Sequence, residues 1–136
     1  MTDTLSASER SERMRRVKSA NTAPELALRR IAHALGFRYR VHGAAALGRP
    51  DIVNARRRIA IFLHGCFWHR HRCAMGSRSP KSRVAFWTAK FERNVARDRI
   101  VRRGLRAAGW RALVVWECEL RSPDKVRRKL ERFLHA

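Results

Sequence analysis

Arg58-Ile-Ala-Ile-Phe-Leu-His-Gly-Cys-Phe-Trp-His-Arg-His-Arg-Cys73 is the stretch on which the reading of this chain turns. Its first half is almost wholly apolar after Arg58, which predicts a strand buried on both faces near the centre of a sheet. Its second half, residues 64–73, holds two cysteines, three histidines, two large aromatics and two arginines. Soft metal ligands, imidazoles that exchange protons near neutral pH, stacking surfaces and phosphate-seeking forks therefore follow directly from the end of a central strand.

Upstream, Gly48-Arg-Pro-Asp51 puts a carboxylate at the start of a second short strand, Asp51–Asn54. A tight turn at Ala55–Arg57 joins the two strands. Before them, Phe37, Tyr39 and Val41 alternate with Arg38 and Arg40, the period of a half-buried strand, and Gly43–Gly48 makes a small-residue loop. Thr22-Ala-Pro-Glu25 fits a capping box, with Thr22 at the N-cap and Glu25 reaching back. The helix it opens carries Leu26, Leu28, Ile31 and Leu35 and stops at Gly36. A helix over about 8–18 has almost no apolar face and needs a ligand to pack against.

Downstream, residues 74–82 form a polar loop that fits no motif. A long helix is predicted over about 83–107, ending at Gly109. Arg111–Trp116 is a further buried strand leading into Glu117-Cys118, and Ser122-Pro123-Asp124 starts a final amphipathic helix. The predicted order is α, α, β, β, β, α, β, α, as one α/β domain over 21–136 preceded by a helical segment at 1–20.

The chain of 136 residues can bury about two-thirds of its unfolded surface. Lys and Arg total 32 against 11 Asp and Glu, a net charge of +21. Such self-repulsion points to a polyanionic partner, and the excess of arginine over lysine favours forked phosphate contacts. Genome-wide compositional bias and an anionic membrane surface are the competing explanations. No apolar run is long enough to span a bilayer, and Met1-Thr-Asp-Thr-Leu-Ser6 lacks the features of a secretory signal. Three cysteines cannot all pair, so a metal site in a reducing, cytoplasmic compartment is expected rather than a disulfide framework.

Cys66, His71 and Cys73 with the remote Cys118 make a Cys3His set suited to tetrahedral zinc, and four protein ligands mean a closed, structural site. The plainer alternative is two buried apolar cysteines and a surface histidine. Phosphodiester hydrolysis needs a cation against developing charge, and Asp51 can hold a hard ion such as Mg2+. His69 can take the proton of an attacking water, while Glu25 and His64 can hold metal-bound waters. Asp51 as a turn cap, Glu25 as a helix cap and His64 as a core histidine are the competing readings.

Gly48-Arg-Pro-Asp-Ile-Val53, the apolar strand, His64-Gly-Cys-Phe-Trp-His-x-His-x-Cys73 and Val115-Trp-Glu-Cys118 together resemble the very short patch repair (Vsr) DNA mismatch endonucleases. The resemblance runs from Arg13-Met14-Arg15 through Phe86-Trp87, Asn94, Arg97-Asp98 and Gly109-Trp110. It implies the fold of a type II restriction endonuclease, a mixed central sheet flanked by helices. It implies nicking on the 5′ side of a thymine mispaired with guanine by 5-methylcytosine deamination, leaving a 5′-phosphate. By that resemblance Asp51 and the main-chain carbonyl of Leu63 bind Mg2+, and His69 is the general base. Glu25 and His64 act through the metal's water shell, and Cys66, His71, Cys73 and Cys118 hold structural zinc. Phe67, Trp68 and Trp87 wedge into the duplex from the major groove, Met14 enters from the minor-groove side, and Lys90 and Asn94 reach base edges.

The resemblance further implies a double-stranded T·G substrate, a bacterial enzyme acting at the nucleoid as a monomer, and mismatch-repair proteins as candidate partners. The chain departs from some relatives in carrying Leu at 63 and Arg at 70 and 72. An Asp followed by Glu-x-Lys is absent, since Phe62 and His64 stand at those places, so proton transfer falls to histidine. Two other functions fit the residues: a non-catalytic zinc-stabilised DNA-binding module, and a related endonuclease of other specificity.

Overall fold

The computed structural model describes residues 22–41 and 47–136. The helix expected over 8–18, Met14 and most of the Gly43–Gly48 loop lie outside them. The order is α1 (Ala23–Ala34), β1 (Arg40–Val41), β2 (Ile52–Asn54), β3 (Ile59–His64), α2 (Val84–Ala107), β4 (Arg111–Trp116), a 3-10 turn (Glu117–Arg121) and α3 (Pro123–Leu134). The four strands form one sheet in the order β1-β2-β3-β4, antiparallel except for the β3–β4 pair, which is parallel.

The period-2 pattern of β3 explains the layers. Ile59 and Ile61 join Leu28 and Ala32 of α1 and Val126, Leu130 and Leu134 of α3 in one core. Ala60 and Phe62 point the other way and pack with Val53 and with Leu105 of α2. A strand covered on both faces must be apolar at successive positions, as Ile59–Phe62 is. Each fully buried Ile or Leu contributes about 1.5–3 kcal/mol, so this strand anchors both layers. His64 lies on the Phe62 side by the same alternation and so faces α2.

Three local expectations need correction. Thr22 occupies the N-cap of α1, but no side-chain cap bond forms; Glu25 binds Arg29 one turn on at 3.1 Å instead, so the capping box is not made. The strand expected over 37–41 is laddered only at Arg40–Val41, because its one neighbour, β2, is three residues long. Phe37 is buried and stacks on Tyr39, so the alternation reports a packed face rather than a ladder. The central strand extends one residue further than expected, to His64, which pairs in register with Trp116.

The turn between β2 and β3 is closed by Asn54, whose Oδ1 accepts from the Arg57 amide at 3.0 Å. Gly109, at φ +81°, ends α2 in the left-handed conformation glycine tolerates. Among the described residues no helix is long and apolar enough to cross a membrane.

Candidate active site and metal centre

The parallel pairing of β3 with β4 brings His64 beside Trp116 at the C-terminal ends of both strands, and two side-chain clusters meet there. In the first, the buried His64 ring stacks on His69 with centroids 3.9 Å apart and planes 6° from parallel. Burial pushes the His64 imidazole down to about 4; the neighbouring His69 and Arg102 add to this and Asp98 opposes it. Its Nδ1 is buried without a hydrogen-bond partner and lies 4.0 Å from Asp98 Oδ2.

His69 Nδ1 is 2.6 Å from the same Asp98 oxygen. A carboxylate only accepts, so Nδ1 carries the proton and Nε2 keeps a lone pair facing outward from that bond. His64, His69 and Asp98 could also jointly hold an ion, their ligand atoms lying within 4.8 Å of one another. The short Nδ1 bond favours a base with its orienting acid. Asp98 enters the sequence reading only as part of the Arg97-Asp98 resemblance, with no role given, and the packing of α2 over β3 supplies its partner.

Asp51 reaches from the head of β2 to the tail of β3, where its Oδ2 accepts from the Leu63 amide at 2.6 Å. Asp51, Leu63, His64, His69, Asn94 and Asp98 line one cavity of about 250 Å³. Arg49, Arg97 and Arg102 also border it, so guanidinium groups stand beside its acids. Glu25 lies on α1 and does not line this cavity, so that expected member is not brought to it.

The second cluster is Cys66, His71, Cys73 and Cys118, whose ligand atoms all lie within 4.8 Å of one another. His71 Nδ1 is 3.4 Å from Cys118 Sγ. Tetrahedral zinc bonds of about 2.0–2.3 Å put ligands about 3.3–3.8 Å apart, so the set fits such an ion. The amides of Cys118 and Gly76 donate to the sulfurs of Cys66 and Cys73, each at 3.4 Å. Gly76 donation first of all pulls the Cys73 thiol down to about 7, whereas burial pushes Cys66 up to about 12. A bound cation would reverse the Cys66 shift by stabilising its thiolate. Gly76 packs so closely on the His71 main chain that no Cβ fits, which gives the otherwise motif-free loop after Cys73 a purpose.

Trp116 separates the clusters. It stacks on His71 at 4.2 Å and 15° and meets His64 edge-on at 5.2 Å. Beside the cavity, Phe67, Trp68, Trp87 and Phe91 form a contiguous aromatic group. Lys90 sits over Trp68 at 5.0 Å and Trp87 at 5.4 Å, and Asn94 Nδ2 donates to the Trp68 carbonyl at 3.3 Å. Asn94 thereby ties the aromatic group to the cavity it also lines.

The sequence model of DNA mismatch endonuclease Vsr matches residues 2–75. The type II nicking enzyme V.XorIIP of Xanthomonas oryzae pv. oryzae is 46% identical, over 98% of this chain and 98% of its own length. The chain belongs to the Vsr family. The DNA mismatch endonuclease Vsr of Escherichia coli (strain K12) is 41% identical over 93% of this chain and 80% of its own. Among solved structures, the catalytic domain of the homing endonuclease I-Bth0305I superposes with a TM-score of 0.52 at 19% identity. That match covers 83% of this chain and 94% of the other, and it establishes the shared fold. As a Vsr-family member the chain is a DNA endonuclease, which removes the non-catalytic DNA-binding module from contention.

The depressed His64 value has a consequence for this Vsr-family enzyme's stability. Unfolded, the imidazole returns to its ordinary 6.5, so below that pH the unfolded chain takes up a proton the folded one refuses. Stability present above pH 6.5 is therefore lost as pH falls toward 4, by about 2 kcal/mol at pH 5. Urea unfolding of metal-free protein at pH 7.5 and 5 is expected to show the drop, and His64→Asn to lack that part of it. Equal drops in both proteins would refute the assignment.

Proposed function

We propose that the protein is a Mg2+-dependent mismatch endonuclease, nicking on the 5′ side of thymine in a T·G mispair and leaving a 5′-phosphate to start very short patch repair. The observation that carries this reading is the His69–Asp98 bond beside Asp51 in one cavity, next to an aromatic group. Asp51 and the Leu63 carbonyl would hold Mg2+, with His64 touching its water shell. The fit rests on hard-ion chemistry, since a carboxylate and a carbonyl are the oxygen donors such an ion takes. Bound there, the ion would neutralise charge on the scissile phosphate.

The chain's own residues supply the proton transfer. His69 Nε2 takes a proton from the attacking water while Asp98, at Nδ1, keeps the ring oriented and stabilises its charged form. Attack at phosphorus breaks the P–O3′ bond, so the 3′-oxygen leaves and phosphate stays on the 5′ end. His64, held neutral, stacks against His69 without adding a second positive charge.

Phe67, Trp68 and Trp87 are the proposed wedge, with Met14, in the DNA-contacting segment over 1–20, entering from the other groove. A mispaired step costs less to unstack, so wedging itself selects T·G. Lys90 and Asn94 are placed to read base edges. Cys66, His71, Cys73 and Cys118 are the proposed structural zinc ligands. The substrate is asymmetric and one strand is cut, which supports a monomer acting at the bacterial nucleoid, with mismatch-repair proteins as accessory partners.

End-labelled duplexes that differ only in T·G against C·G at a methyltransferase-type site test the reading. A single nick 5′ of the mispaired thymine, requiring Mg2+, is expected. Equal cutting of both duplexes would mean a related endonuclease of other specificity.

A further inference from the structure

Arg99, Arg102, Arg103 and Arg106 stand at i, i+3, i+4 and i+7 of α2, so they share one face of the helix, and all four are exposed. None forms a salt bridge with a described residue. Each neighbouring pair at these spacings repels. The face is therefore electrostatically unfavourable in the protein alone.

This stripe walls a groove of about 970 Å³ that runs along the open edge of β4. The other side carries Arg111 and Lys129, both already engaged. Lys129 Nζ binds Glu119 and the Val114 carbonyl at 2.8 and 2.9 Å, and Arg111 covers the Phe133 ring. Trp110 also lines the groove and, unlike Trp116, has no ring partner among the described residues. Guarding an edge strand against pairing takes a single lysine, which Lys129 provides. Four more unpaired cations exceed that need.

The stripe is centred away from Lys90 and Asn94, and only Arg99 at its end reaches the pocket lined by Trp87 and Phe91 of the aromatic group. Lys90, Asn94 and Val101 lie on a different face of α2, roughly opposite at about 100° per residue. Duplex held at Lys90, Asn94 and the cavity thus meets a different face of the helix from the one that walls the groove. Arg102 and Val114 border both the cavity and the groove, so the two are continuous.

We propose that this groove binds single-stranded DNA, taking one strand away from the cut site while the duplex stays at the cavity. Arginine forks suit successive phosphates, and the half-buried Trp110 adds indole surface to the groove wall on which any base can stack. The proposal rests on charge and groove shape and is independent of T·G selectivity.

The test uses full-length protein with Arg103→Ala and Arg106→Ala combined, neither of which lines the cavity. Anisotropy with a labelled 12-nucleotide oligothymidylate and with a blunt matched duplex reads the two binding modes separately. The double variant should bind oligothymidylate about 10-fold more weakly, with its salt slope smaller by about 1.4 for two lost phosphate contacts. Duplex affinity and nicking of a blunt T·G substrate should stay within about 2-fold of the parent. Equal losses on both DNAs would make the stripe part of the duplex interface and overturn the proposal. So would no loss on either, or displacement of oligothymidylate by oligoglutamate as effective as by unlabelled oligothymidylate.

Discussion

Replacing Asp51 with Ala is expected to abolish nicking, by ~10³-fold or more, while duplex binding is retained or tightened. Two effects are superimposed in this variant. The carboxylate is the proposed Mg2+ ligand, and its removal takes away the charge needed to hold a cation against phosphate. It also takes away the acceptor for the Leu63 amide at 2.6 Å, which leaves a donor at the end of β3 unsatisfied and costs about 1–3 kcal/mol of stability. Asp51→Asn separates them, since its side-chain oxygen still accepts from Leu63 but carries no charge. The asparagine variant should melt near the parent temperature and still fail to nick. Nicking by either variant at more than about a tenth of the parental rate would remove Asp51 from the catalytic set. Retained binding follows from the charge balance: an acid facing phosphate repels it unless a cation intervenes.

The second large effect is expected at the Cys3His cluster. Cys118→Ser should lower the zinc-to-protein ratio and reduce stability by ~3 kcal/mol, about 10 °C in Tm. Cys118 leaves β4 in the 3-10 turn, whereas Cys66, His71 and Cys73 belong to the irregular segment after β3. Ligation by all four would tie that segment to the neighbouring strand. The same segment carries His69, Phe67 and Trp68, and His71 stacks on Trp116 next to His64. Zinc loss should therefore slow nicking as well as lower Tm, although none of the four ligands lines the cavity. Elemental analysis beside calorimetry checks this; an unchanged zinc ratio would exclude Cys118 as a ligand.

The residues that could be read from sequence are those whose chemistry is local. Cys66, His71 and Cys73 fall within eight positions, and a short apolar run leading into His64 reads as a central strand with a site at its end. The long helix over 83–107 was legible to within one residue because Gly109 stops it. Glu25 shows the limit of such reasoning. Its spacing from Thr22 fits a cap and its charge fits a metal shell, yet in the fold it pairs with Arg29 and does not line the cavity. Local spacing cannot decide among partners of similar strength. The Phe37–Val41 alternation was likewise correct about burial of Phe37 and wrong about ladder length, since pairing depends on how long the neighbouring strand is.

By itself, then, the sequence determined the ligand chemistry, the polyanionic partner and the central strand, because composition and short-range periodicity carry them. Tertiary structure alone decided that β3 and β4 run parallel, which sets Cys118 against Cys66 and Trp116 between the His64–His69 pair and the Cys3His cluster. It also decided that Asp98, 29 residues after His69, is that histidine's partner at 2.6 Å. A carboxylate flanked by arginines on a polar helix has no local mark of function. Its role exists only because α2 must cover the Ala60–Phe62 face of the sheet, and in doing so brings Asp98 over the end of the strand.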